Sequence, residues 1–202
     1  MKNTALILAA TLALSTSYAA EKKATPPYCR VGLPPGKPSE KSIYQLSGKW
    51  TSDLGHETKL DVLRGHPVVM AMFFCNCQHS CPTIVADMKA IESKLPAVVR
   101  AKTDFMLISI DPKRDTVEAL KAYRGRFKLN GEHWMLLRGA NEDVAKVAEF
   151  TGFKYSSGSE TQYAHSLLIT VLNKKGEIVY QQSGLGTDPN PAAKTVKAEA
   201  HK

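Results

Sequence analysis

Past its first twenty residues, this 202-residue chain has no apolar run long enough to cross a bilayer, which takes roughly 20 residues. That absence excludes a membrane-spanning helix in this part of the chain. It shows no internal repeat of solenoid length, which excludes a stacked-repeat architecture. Only 7% of residues are aromatic, and no array interleaves them with arginine, which argues against a nucleic-acid surface. Cysteine is scarce at four residues, too few for a disulfide-dense scaffold. Proline is missing altogether between Arg138 and Thr187. What remains is ordinary for one globular domain with tails, at 43% hydrophobic and 23% charged residues.

The N-terminus has the pattern of an export signal. Lys2 precedes an apolar run from Ala5 to Leu14, and Ser17 and Ala19 stand at the −3 and −1 positions for cleavage after Ala19. Residues 1–19 are therefore expected to be removed and the mature protein to be periplasmic or otherwise exported; a retained anchor is the alternative. The formal net charge of +8 falls by one with Lys2. The basic residues are scattered, which reads as a solvated surface with at most mild attraction to an acidic partner or membrane. Residues 20–41 read as an irregular lead-in rich in Pro, Gly and Lys.

The pattern from residue 42 to 186 is that of an α/β domain. "SIYQLSGKW" and "HETKLDVL" fit an N-terminal strand pair turning at Gly55. "PVVMAMFF" is a continuous apolar run, expected as a central strand buried on both faces, and "DFMLISI" is expected as a second buried strand. Ile84, Met88, Ile91 and Leu95 recur at helical spacing after the first run. "TVEALKAYRGRF" is expected as a helix capped by Asp115 or Thr116, and "NEDVAKVAEFTG" as one capped by Asn141 and stopped by Gly152. "SLLITVLNKKGEIVYQQSG" reads as a hairpin. Alternation of this kind predicts a central mixed β-sheet flanked by helices. Residues 187–202 are polar and proline-bearing, and are expected to be disordered.

Three of the four cysteines fall in "FFCNCQHSCP", at Cys75, Cys77 and Cys81, where a central strand turns into a helix. Ligand groups in open α/β sheets gather at such carboxyl ends. Cys81 is expected at the helix N-cap, where backbone N–H groups and the helix dipole favour a thiolate. A strand, a cysteine turn and a helix suggest a thioredoxin-like redox site. However, the Cys77–Cys81 spacing is one residue longer than the usual redox pair. In addition, "YAHSLLITV" puts His165 where such proteins carry a proline. Two thiols faced by an imidazole make a soft-ligand set suited to Cu(I), Cu(II) or Zn(II).

At "CQHSCP", "ISIDPKRDT" and "YAHS", in that order and led by "LRGHPVVMAMFF", the chain resembles the Sco/SenC copper proteins from about Ser42 to Gly186. The resemblance implies a thioredoxin-like fold binding copper through Cys77, Cys81 and His165. It also implies delivery of copper to, or maturation of, the dinuclear copper centre of cytochrome c oxidase, with its copper-receiving subunit as partner. Asp111 matches the family's acidic residue near the site, where it orients ligands or contacts a partner; a simple turn aspartate is the alternative.

Cys29 and Cys75 are not in the family's metal triad. Cys75 and Cys77, two apart on an extended strand, are expected to share a face. Cys75 is then a buried thiol, a third sulfur for the metal, or a disulfide-exchange partner. These extra thiols keep a second function open, a thiol–disulfide oxidoreductase acting through Cys77 and Cys81 on a copper-receiving target. A peroxidase-like thiol enzyme would need a supporting arginine, and none is adjacent. His79 is expected to face solvent, and His56, His66, His133 and His201 have no evident partners. Many relatives close with an amphipathic helix, which "NPAAKTVKAEAHK" has little apolar surface to form.

Overall fold

A computed structural model of the chain describes residues 37–78, 80–157 and 163–202. The export signal, Cys29 and His79 lie outside the described residues.

A seven-stranded mixed sheet organises the domain, in the order β2 (Glu57–Thr58), β1 (Trp50–Ser52), β5 (Trp134–Gly139), β4 (Asp104–Ser109), β3 (Val68–Phe73), β8 (Leu168–Leu172) and β9 (Ile178–Ser183). The first strands, β1 (Trp50–Ser52) and β2 (Glu57–Thr58), form the expected hairpin, and β1 joins the sheet antiparallel to β5. The segments flanking the hairpin are 3-10 turns rather than strand extensions, at Ile43–Gln45 and Leu60–Leu63. In the first of them the Ser42 hydroxyl accepts from the Tyr44 N–H, a local bond that competes with strand pairing.

At the centre lie β3 (Val68–Phe73) and β4 (Asp104–Ser109), every residue of each buried. They pair in parallel with each other, and β4 pairs in parallel with β5 (Trp134–Gly139). Continuous Val, Met, Ile and Leu runs suit strands covered on both faces. Gly139 sits opposite Trp50 because a Cβ there would meet the indole ring at 2.7 Å.

Four helices connect the strands or flank them: α1 (Ser80–Ser93), the single turn α2 (Ala97–Arg100), α3 (Val117–Phe127) and α4 (Asn141–Thr151). Ile84, Met88, Ile91 and Leu95 are all buried, as their spacing predicts. Thr116 caps α3 by accepting from the Ala119 N–H. Asn141 lies inside α4 rather than at its cap, which is Ala140, and Gly152 ends the helix with φ at 72°. Arg124 of α3 reaches fully buried Asp53 after β1 and also donates to the carbonyls of Leu129 and Trp134, tying hairpin, helix and sheet together.

A short ribbon of β6 (Tyr155–Ser157) and β7 (Tyr163–His165) precedes the antiparallel hairpin β8 (Leu168–Leu172) and β9 (Ile178–Ser183). Antiparallel pairing with β3 brings β8 beside the central strand.

The C-terminal expectation is overturned. Residues Pro189–His201 form a helix, α5, capped by Asp188 and packed against α1, β8 and β9. Its prolines lie in the first turn, where a missing N–H costs nothing. Ala192, Ala193, Val196 and Ala200 make a small-residue stripe that is wholly buried. Small side chains let the helix approach closely, so a stripe of little apolar bulk still docks. The Asp87 carboxylate of α1 accepts from the Gly186 N–H and fixes the entry to this helix. Among the described residues no helix is long and apolar enough to cross a membrane.

Candidate metal centre

The carboxyl end of β3 delivers the cysteines. After Phe73 the chain leaves the sheet and turns, with the Cys77 N–H donating to the Phe74 carbonyl. Helix α1 starts at Ser80, so Cys81 lies in its first turn rather than at the N-cap. The Cys81 N–H donates to the Cys77 sulfur at 3.4 Å, so this N–H of the helix start is aimed at Cys77. Burial pushes the Cys81 thiol well above its ordinary range, outweighing the donation it receives from the Phe74 backbone. The thiolate expected at Cys81 is thus not favoured by its surroundings.

His165 stands at the end of β7, paired across the ribbon with Tyr155. Its Nδ1–H donates to the Ser166 carbonyl at 2.8 Å, which leaves the lone pair on Nε2. Nε2 lies 3.8 Å from the Cys81 sulfur. Phe74 meets the imidazole edge-on and Phe153 stacks on it, with centroids 5.8 and 5.9 Å away. One donor atom from each of Cys77, Cys81 and His165 lies within 4.8 Å of the other two. The three residues chosen from the sequence are therefore one cluster, with two sulfurs buried and the imidazole half-buried.

Ser80 is a member of this cluster that sequence reasoning missed. Its hydroxyl lies 3.3 Å from the Cys77 sulfur and 3.1 Å from His165 Nε2. With Nε2 as acceptor, the Ser80 hydroxyl donates to it and the Cys77 thiol donates to Ser80, giving a continuous relay. Its place between the two cysteines in "CQHSC" was the available signal. Phe153 carried none, because its stacking on His165 depends on where α4 ends.

Cys75 does not share a face with Cys77. Strand geometry stops at Phe73, so the two-residue alternation no longer applies, and Cys75 turns toward α3. Its backbone N–H donates to both oxygens of Asp115, at 3.2 and 3.1 Å, and its carbonyl accepts from Arg126 at 3.0 Å. Burial, reinforced by the Asp115 carboxylate, pushes the Cys75 thiol up. Asp115 also accepts from the Ser109 hydroxyl at 2.5 Å, so it ties the cysteine turn to the end of β4. Asp111 is buried too, but it bonds Arg114 at 2.5 Å and shapes the turn into α3 rather than touching the cluster through any of these bonds. No disulfide joins the described cysteines. Two histidines expected to lack partners have them, His66 with Asp104 at 2.8 Å and His133 with Glu92 at 2.7 Å.

A mixed sheet with a cysteine turn after its central strand, faced by an imidazole, defines a thioredoxin-like protein with a thiol–thiol–imidazole centre. The SCO1/SenC family profile matches residues 38–201, and the chain belongs to that family. It is 28% identical over 130 residues to a Stutzerimonas stutzeri protein described as copper-binding; the match spans 64% of this chain and 61% of that one. The crystal structure of a SCO1/SenC family lipoprotein from Bacillus anthracis str. Ames is similar over 81% of this chain and 98% of its own, with 25% identity and a TM-score of 0.68. ScoI of Bradyrhizobium japonicum, solved with copper bound, has the same fold with a TM-score of 0.62 and 24% identity, over 75% of this chain and 96% of its own.

Proposed function

We propose that this protein is an exported copper carrier that holds one copper ion through Cys77, Cys81 and His165. The carrying observation is the cluster itself: two sulfurs and an imidazole nitrogen within 4.8 Å, drawn from elements 84 residues apart, with the nitrogen lone pair already freed by the Ser166 carbonyl. Thiolate and imidazole donors suit copper in either oxidation state. Membership of the SCO1/SenC family supports the choice of metal. Its destination is the dinuclear copper centre of cytochrome c oxidase, reached by direct transfer to the copper-receiving subunit or by preparing that subunit for copper. The export-signal pattern of residues 1–19 supports a periplasmic place of work.

The test uses reduced mature protein titrated with Cu(II). A sulfur-to-copper charge-transfer band is expected at one equivalent, and His165→Ala should weaken both band and affinity. An unchanged band and affinity in that variant would refute the assignment. Linking Cys77 to Cys81 as a disulfide removes both thiolates, so oxidised protein should release copper. The oxidoreductase reading requires an attacking thiolate. Burial of Cys81 and the turning away of Cys75 both count against it.

A further inference from the structure

Tyr123 of α3 carries a hydroxyl that the fold buries and leaves unbonded. Its ring packs on Phe73, the last residue of β3 before the cysteine turn, and on Phe127, with centroids 4.7 and 4.5 Å away. Arg126 covers the ring, 5.0 Å from its centroid, and one of its Nη groups donates to the Cys75 carbonyl. The residue is only 2% exposed, and its hydroxyl has no hydrogen-bond partner among the described residues. Buried hydroxyls are nearly always satisfied, so this one calls for a physical reason.

The cysteine turn supplies that reason. Among the chargeable groups that act on the hydroxyl, the Cys81 sulfur comes first, ahead of Arg126, Cys75 and Cys77. In the metal-free protein burial keeps the Cys81 and Cys75 thiols protonated, and a neutral thiol is a weak acceptor. When copper binds, the Cys81 proton passes to solvent as the sulfur–metal bond forms, which leaves a thiolate in a low-dielectric interior. The hydroxyl rotor then has a negative charge to turn toward. Two thiolates and a neutral imidazole make a centre that is neutral with Cu(II) and carries one negative charge with Cu(I). A hydroxyl dipole directed at such a centre favours its more negative state, and polar groups around a cysteine sulfur tune copper potentials in this way.

We propose, on the copper reading of Cys77, Cys81 and His165, that Tyr123 is a positioning residue of the metal centre. Once Cys81 is a thiolate, the Tyr123 O–H directs its hydrogen toward that sulfur and favours Cu(I) over Cu(II).

The test compares the full, reduced chain, loaded with one equivalent of copper, as wild type, Tyr123→Phe and Tyr44→Phe. Tyr44 is the control. Its hydroxyl is also buried and unpartnered among the described residues, but it lies near Asp104, which pairs with Val68 at the end of β3 away from the cysteines. Tyr123→Phe should move the sulfur-to-copper charge-transfer band to lower energy, because a thiolate without a facing donor gives up its electron more readily. It should also lower the copper reduction potential, with the ratio of Cu(I) to Cu(II) affinity falling about three- to tenfold. Tyr44→Phe should keep the wild-type band and potential. The thermal midpoint of metal-free Tyr123→Phe should equal that of the wild type, since its hydroxyl has no partner to lose. An unchanged band and potential in Tyr123→Phe, an equal change in Tyr44→Phe, or a lowered metal-free midpoint in Tyr123→Phe would each overturn the proposal. A wild type without the band would overturn the copper reading and this role together, whereas a wild-type band that Tyr123→Phe leaves unmoved overturns the role alone.

Discussion

Val196→Ala probes the C-terminal helix where its docking is tightest. Val196 is fully buried, in a helix that packs against α1, β8 and β9. The substitution removes two methyl equivalents at about 0.8 kcal/mol each. A residual cavity of about 30 Å³ adds about 0.7 kcal/mol at about 24 cal/mol per Å³. The expected loss is therefore about 1.5–2.5 kcal/mol, or a fall in Tm of about 4–8 °C for a domain of this size. Urea unfolding with an unchanged m-value reads it. Lys194→Ala, on the exposed side of the same helix, should stay within about 0.5 kcal/mol and serves as control. Ala193→Leu should also destabilise, by about 1–3 kcal/mol, because the stripe admits no extra bulk. Equal midpoints for Val196→Ala and Lys194→Ala would show that the helix does not dock, and the packing argument would be wrong.

Cys75→Ser should leave copper affinity and the charge-transfer band unchanged, since Cys75 turns toward α3; loss of the band would place its sulfur on the metal. Asp115→Ala should lower stability by about 2–3 kcal/mol in urea unfolding, because the Cys75 N–H and the Ser109 hydroxyl lose their acceptor; an unshifted midpoint would mean the turn is held by something else. Burial pushes the Glu92 carboxyl up, but hydrogen bonds from His133 and Trp134 outweigh it and hold its pKa below the ordinary 4.5. A lowered carboxylate pKa contributes stability above the unfolded value that is lost as pH falls through the folded one. Glu92→Gln should thus flatten the acid limb of stability between about pH 6 and about pH 3, and an unchanged limb would remove Glu92 from the account.

The central sheet was legible because β3 is apolar at every position and β4 from Phe105 to Ile108, a pattern few structures other than a doubly covered strand satisfy. The metal cluster was legible for a different reason: Cys77 and Cys81 sit four apart on one turn, and the missing proline left His165 conspicuous. What escaped depended on contacts distant in sequence or on small side chains. Docking of α5 rests on alanines, whose burial is invisible to a count of apolar bulk. The facing of Cys75 turned on where β3 ends, a boundary set by the Phe74–Cys77 turn and by Asp115, 40 residues away. The β6–β7 ribbon that carries His165 has too few residues per strand to show alternation.

The donors of the cluster share no element. Cys77 lies six residues beyond Ala71 of β3, and His165 lies four residues before Ile169 of β8, and Ala71 pairs with Ile169. Alignment of sulfur with imidazole is therefore inherited from the register of one antiparallel strand pair. A strand advances about 3.3 Å per residue, so a slip of a single position would displace the imidazole by nearly the whole Cys81–His165 separation of 3.8 Å. The centre's tolerance for error is thus set inside the sheet, at Val68 to Ala71 and their partners, which never touch the bound ion. Substitutions there can abolish binding while every ligand stays in place along the chain.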